Sequence, residues 1–197
     1  GNNVMVPSPS FSMYEKIIST IKLNYIPEYL DEDFDIKIDQ MLKNISNHKP
    51  AIIFLACPNN PTGNLWDKEK IIQIIESSES IVVIDEAYVD FCESSYIDLL
   101  EKYENLVILR TFSKIGFAGL RLGFMISNKE ISSIINKIRL PFNINSVSQK
   151  IIITIFENFS KIKKNCQNII NLREKFYSDL SDLRNIKVYK SSTNFLI

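Results

Sequence analysis

Only five of the 197 residues are glycine. That scarcity excludes collagen-like and glycine-rich low-complexity chains, and it makes each glycine that is present a candidate for positive φ or close backbone approach. Histidine occurs once, at His48 within the polar run Ser46-Asn47-His48-Lys49 before Pro50, and reads as an exposed turn residue with no chemical role. The three cysteines, Cys57, Cys92 and Cys166, are odd in number, far apart and lack C-x-x-C spacing. A disulfide framework and a zinc site are therefore not expected, no metal is expected, and a reducing cytoplasm fits. Neither sign of charge is in excess, with 23 Lys plus Arg against 23 Asp plus Glu. No global field favours nucleic acid or an anionic membrane, so any bound phosphate must be held locally. No apolar run approaches the ~18 to 20 residues of a membrane span, and the first residues carry no charged region followed by an apolar signal core.

The composition that remains, 45% hydrophobic and 23% charged, belongs to an ordinary globular protein. Short apolar runs at Ala51-Ala56, Ile81-Ile84 and Leu106-Leu109 alternate with amphipathic stretches at Asp67-Ser77 and Ser95-Tyr103. Strand-helix alternation of this kind predicts an α/β fold with a mostly parallel sheet flanked by helices, because only strands covered on both faces read as continuous apolar runs. Val4-Met5-Val6 resembles a further strand. Asn128-Ile138 reads as a helix, Leu140-Pro141-Phe142-Asn143 as a break, and Ser146 to about Leu183 as one long or bent helical segment. Ile186-Tyr189 and Asn194-Ile197 read as short strands. The expected division is a large domain over residues 1-150 and, over 151-197, an interdomain helix with the beginning of a smaller α+β domain. Both ends read as though cut within a domain.

The residues with chemistry lie where the predicted strands end. Asp85 follows Ile81-Val82-Val83-Ile84, Thr111-Phe112-Ser113-Lys114 follows Leu106-Val107-Ile108-Leu109-Arg110, and Pro58 and Pro61 stop the strand ending at Ala56. In a parallel sheet these ends share one carboxyl edge, the place where α/β ligand sites gather. A lysine there can serve as a Schiff-base nucleophile when burial or a neighbouring cation lowers its pKa. Hydroxyls and backbone N-H groups beside it, together with the fork of Arg121, could hold a phosphate. An aspartate ending a buried strand needs a partner, and a protonated pyridine nitrogen would be one.

The stretches Pro9-Ser10-Phe11-Ser12-Met13-Tyr14, Asn60-Pro61-Thr62-Gly63, Asp85-Glu86-Ala87-Tyr88-Val89-Asp90-Phe91, Thr111-Phe112-Ser113-Lys114 with Gly119-Leu120-Arg121-Leu122-Gly123, and Ser192-Thr193-Asn194-Phe195 resemble, in order, the fold type I (aspartate-aminotransferase-type) pyridoxal-phosphate enzymes. Within these they resemble the histidinol-phosphate aminotransferase family. The resemblance implies that Lys114 is the catalytic Schiff-base lysine and proton-shuttling base. It implies that Asp85 pairs with the pyridine nitrogen, that Tyr88 and Asn60 bond the phenolic oxygen, and that Ser113 and Arg121, with Thr111 in the same motif, belong to the phosphate side. Phe11 matches the aromatic stacked on the ring, where many relatives have Tyr. The family's glycine-containing phosphate loop would lie upstream of Gly1 and its late substrate-binding arginine beyond Ile197. The family also implies a homodimer whose sites borrow residues from the partner.

The expected activity is transamination between L-histidinol phosphate and 2-oxoglutarate in histidine biosynthesis, with a small-molecule amino donor and a 2-oxo acid as partners. A threonine-phosphate decarboxylase or an aromatic-amino-acid aminotransferase would carry nearly the same motifs. A non-catalytic aminotransferase-like binding domain is the alternative of another class. Cys57 reads as a buried packing residue, and Tyr14, Phe117 and Phe142 as either core aromatics or pocket walls. Asn143 or Asn145 is a candidate for the substrate side, and Lys161-Ile162-Lys163-Lys164 and Arg173-Glu174-Lys175 read as a solvated helix face.

Overall fold

The computed structural model describes residues 1-197. Six strands form one sheet: β1 (Asn3-Ser8), β2 (Asn24-Tyr29), β3 (Ile52-Ala56), β4 (Ile81-Asp85), β5 (Leu106-Thr111) and β6 (Gly123-Ser127), in the order β2-β1-β3-β4-β5-β6. All neighbouring pairs are parallel except β5-β6, which is antiparallel. The exception follows from the short return between Thr111 and Gly123, which face each other in register; a parallel pairing would need a crossover of a dozen or more residues.

Side chains alternate across the sheet with the two-residue period of extended backbone. Met5, Ile53, Leu55, Val82, Ile84, Leu106 and Ile108 enter the main core, where they meet α2 (Ile38-His48) through Met41 and Ile45 and α3 (Lys68-Glu76) through Ile71, Ile74 and Ile75. Val4, Val6 and Ala56 point the other way, onto Tyr14 and Ile18 of α1 (Met13-Thr20). Farther along that second side, α5 (Ser146-Glu157) and α6 (Phe159-Ser181) pack Ile155, Ile162 and Cys166 against Tyr88 and Phe91. α3, α5 and α4 (Lys129-Ile138) begin at capping side chains: Asp67 accepts from Glu69 N, Asn145 from Ser148 N and Asn128 from Ile131 N, each at 2.8 Å. Each cap satisfies an N-H that the first helical turn leaves unpaired.

The structure corrects four expectations. Ser95-Tyr103 forms only a short 3-10 turn over Ile97-Glu101, because the backbone N-H of Tyr96 is engaged by the carboxylate of Glu86 at 2.6 Å. The segment from Ser146 is two helices, separated at Asn158, whose side-chain amide returns to Thr154 O. Ile186-Tyr189 and Asn194-Ile197 are not strands; a single backbone bond from Tyr189 N to Ile197 O joins them, too little to make a ladder. β2, β6, α1 and α2 are further elements beyond those expected from the sequence. No helix is long and apolar enough to cross a membrane.

Gly123 and Gly119 give a paired test of this architecture. A Cβ at Gly123 would lie 2.9 Å from the backbone oxygen of Arg110, whereas one at Gly119 meets nothing within 4 Å. Gly123→Ala is expected to destabilise the protein by about 1 to 3 kcal/mol, the usual cost of overpacking, and Gly119→Ala by less than about 0.5 kcal/mol. Urea denaturation of the two variants measures the contrast, and equal costs would contradict the close β5-β6 approach.

Candidate active site

The β3-β4-β5 register places Ala56 beside Asp85 and Asp85 beside Leu109, so the segments that leave these strands emerge together. They enclose a cavity of about 50 Å3 whose walls include Phe11, Tyr14, Asn60, Asp85, Tyr88 and Lys114. Five of the sequence-predicted residues thus share one recess, with Tyr14 added.

Asp85 is partly buried and takes part in no ion pair. One carboxylate oxygen accepts from the Tyr14 hydroxyl at 2.7 Å and the other from Ala87 N at 3.0 Å. Burial pushes its carboxyl above the ordinary value, against the pull of these two donors and of the Lys114 charge. Tyr88 is buried, with its hydroxyl accepting from the Asn60 amide at 3.0 Å. The Lys114 ammonium lies 5.0 Å from the centre of the Tyr88 ring, within cation-π range.

Asn59, wholly buried, fixes the opposite wall. Its amide donates to Pro9 O and Thr62 Oγ1 and accepts from Ser10 Oγ, which ties the turn carrying Phe11 to the turn carrying Asn60. Gly63 closes that second turn at φ 75°, and a Cβ there would lie 2.7 Å from Ser191 Oγ. The segment after β5 carries the rest. Thr111 Oγ1 donates to Ser113 Oγ at 2.9 Å and accepts from Ser113 N, while Gly116 turns the chain at φ 107°. Thr111 and Ser113 adjoin Lys114 but do not line the cavity. Arg121 is exposed and makes no ion pair or side-chain hydrogen bond; it holds a left-handed backbone at φ 54°, a conformation that costs about 1 kcal/mol in a residue with a Cβ.

Glu86, one residue past Asp85, points to the other side. It is 1% exposed and is neutralised by Arg110 at 2.7 Å, Ser95 and Tyr96 N. Two adjacent carboxylates are thereby separated, one paired with a cation and one accepting only from neutral donors. Asn143 and Asn145 do not join the site. Asn143 accepts from Arg139, and Asn145 caps α5. Phe142 is 98% exposed, neither core nor wall, and Cys57 lies in the core, where burial raises its thiol to about 12. Arg173, expected on a solvated face, donates instead to Phe91 O and Thr193 O. A larger groove of about 770 Å3 between residues 89-94 and α6 mixes charges of both signs with Cys92 and Cys166. No group of three or more His, Cys, Asp or Glu is placed to hold a metal ion.

The chain that places a lysine, an aspartate without an ion pair and a tyrosine-asparagine pair at the carboxyl edge of this mostly parallel sheet matches the family aminotransferase class I and II over residues 1-197. The chain belongs to that family. It is 39% identical over 198 residues to the histidinol-phosphate aminotransferase of Caldanaerobacter subterraneus subsp. tengcongensis, covering 100% of this chain and 56% of that protein. Among solved structures, the histidinol-phosphate aminotransferase from Clostridium acetobutylicum superposes with a TM-score of 0.90 at 26% identity, over 98% of this chain and 60% of the other. That from Sinorhizobium meliloti, in complex with pyridoxal-5'-phosphate, gives 0.89 at 22% identity, over 100% of this chain and 55% of the other. The chain therefore spans little more than half the length of the proteins it matches.

The raised Asp85 carboxyl predicts a pH dependence of stability. The folded chain binds the Asp85 proton more tightly than the unfolded chain does, so the wild type loses stability as pH rises from below about 3.9 through the folded-state value. Asp85→Asn lacks this term, and the Tyr14 hydroxyl can rotate to accept from the new amide. The stability of Asp85→Asn relative to wild type is expected to grow with pH across that window and then level off. Urea denaturation at a series of pH values checks it, and a difference that stays flat or shrinks would contradict the assigned desolvation.

Proposed function

We propose that this chain forms much of the site of a pyridoxal-phosphate-dependent aminotransferase acting on L-histidinol phosphate and 2-oxoglutarate. The observation that carries the reading is the convergence of Lys114, Asp85, Tyr88, Asn60 and Phe11 on one cavity. The donor set fits the cofactor. Asp85 accepts only from neutral donors, which leaves its charge to pair with a protonated ring nitrogen, and the Asn60-Tyr88 pair offers hydrogen-bonding groups for a phenolic oxygen. Membership of the family and the histidinol-phosphate aminotransferase relatives support both cofactor and substrate.

When bound, pyridoxal phosphate supplies an aldehyde for covalent attachment of an amine and a ring that takes up the electrons left when a Cα-H bond breaks. The roles left to this chain's own residues are binding, orientation and proton transfer. Asp85 would hold the ring nitrogen protonated, Tyr88 and Asn60 would orient the phenolic oxygen, and Phe11 would cover a ring face. Ser113, Thr111 and Arg121 would hold the phosphate. The Lys114 amine would be the group that holds the cofactor covalently and, when free, the base that takes a proton from the donor's Cα and gives it back. Residues 1-150 serve as the cofactor-binding domain and 151-197 as the link into a smaller domain. The working unit is a homodimer in the cytoplasm.

Borohydride reduction of the protein loaded with pyridoxal phosphate, followed by peptide mapping, is expected to place the label on Lys114 and to find none in Lys114→Ala. Label on another lysine would remove the assignment. For the substrate, amino donors compared in a single-turnover spectroscopic assay are expected to react in the order histidinol phosphate before phosphothreonine and aromatic amino acids. Faster reaction of either competitor would replace the proposed donor.

A further inference from the structure

Tyr14 is 8% exposed, and its ring is clamped by stacking on Phe54, with centroids 4.9 Å apart and planes 19° from parallel, and by the edge contact with Phe11 at 5.6 Å. The apolar cluster around it, Val4, Val6, Ile18 and Ala56, asks only for an aromatic of that shape, and phenylalanine would serve it. The hydroxyl is the surplus. Its partner is the Oδ2 atom of Asp85, 71 residues away in sequence.

We infer that Tyr14 is a positioning residue for Asp85, the hydroxyl at the end of a clamped ring fixing one carboxylate oxygen at the wall of the cavity. The inference rests on the cofactor reading above for its consequence, though not for the contact itself. Asp85 is met by Tyr14 from α1, by Lys114 from the turn after β5 and by Glu86 from its own segment; the first two favour its charged form, and burial and Glu86 oppose it. Glu86 is already neutralised by Arg110. Asn60 and Tyr88, from the other walls, bring no charge. Tyr14 remains a donor throughout, since burial and the Asp85 charge both push its phenol upward.

Tyr14 also lies in the first turn of α1, directly after the turn that carries Phe11, so one side chain links the ring-covering wall to the carboxylate. Loss of the hydroxyl removes a hydrogen bond to a charged group, which on the usual scale corresponds to a factor of roughly ten or more in the equilibrium it supports. Cα proton removal by the loaded enzyme should slow by about that factor in Tyr14→Phe.

The deciding experiment uses cofactor-free protein. Aspartate labelled with 13C at the carboxyl carbon is titrated by NMR, the Asp85 resonance being assigned by its absence in Asp85→Asn. In Tyr14→Phe the Asp85 midpoint is expected to move upward; an unmoved midpoint overturns the inference. If Tyr14→Phe fails to fold, 3-fluorotyrosine at position 14, a stronger donor of nearly the same shape, must move the midpoint downward, and no movement again overturns it. Failure of borohydride labelling at Lys114 would sink the cofactor reading while leaving this titration intact, whereas normal labelling with an unmoved midpoint would sink the role of Tyr14 alone.

Discussion

A carboxylate at the end of the central strand β4 is the group on which this structure turns. Taking a charge partly out of water is costly unless something replaces the lost hydration, and Asp85 receives one hydroxyl and one backbone N-H in exchange. That is enough to keep it in the fold and too little to neutralise it. The chain treats the adjacent Glu86 differently, closing it with Arg110, Ser95 and Tyr96 N. The contrast between these neighbours is that one is compensated by a cation and the other accepts only from neutral donors.

The sheet makes this economical. In parallel pairing each strand ends on the same side, so the turn after β3, the turn after β4 and the turn after β5 reach a common edge without long excursions. Asn59 fastens the first of these to the turn carrying Phe11, and Asn60 fastens it to Tyr88 in the second. Lys114 comes from the third, and the antiparallel return of β6 at Gly123 holds that segment against β5. Rigid strands set the positions, and a few buried amides and hydroxyls set the orientations.

Much of this was legible in the sequence because the signals were local. Apolar runs ended by Asp85 and by Thr111-Lys114 announced two strands and put Asp85 and Lys114 at one edge, and the scarcity of glycine marked Gly63 and Gly123, where a Cβ meets other atoms at 2.7 and 2.9 Å. What escaped depends on pairings across long separations. The partner of Tyr14 lies 71 residues away, and Pro9 and Ser10, which bond Asn59, lie 50 and 49 residues from it, distances at which a single sequence carries no register. β2 contains a proline and a buried glutamate, so it did not read as a strand, and the terminal segments Ile186-Tyr189 and Asn194-Ile197 had strand-like composition but only one backbone bond between them. The solvated-face reading of Arg173 failed because its guanidinium turns inward to carbonyls, which a charge pattern does not reveal.

The account centres on the claim that the Asp85 charge is reserved for a protonated ring nitrogen. NMR of the protein loaded with pyridoxal phosphate labelled with 15N in the ring reads that atom directly. The account predicts a protonated nitrogen in the wild type at neutral pH and an unprotonated one in Asp85→Asn. An unprotonated nitrogen in the wild type, or a protonated one that persists in Asp85→Asn, would contradict it.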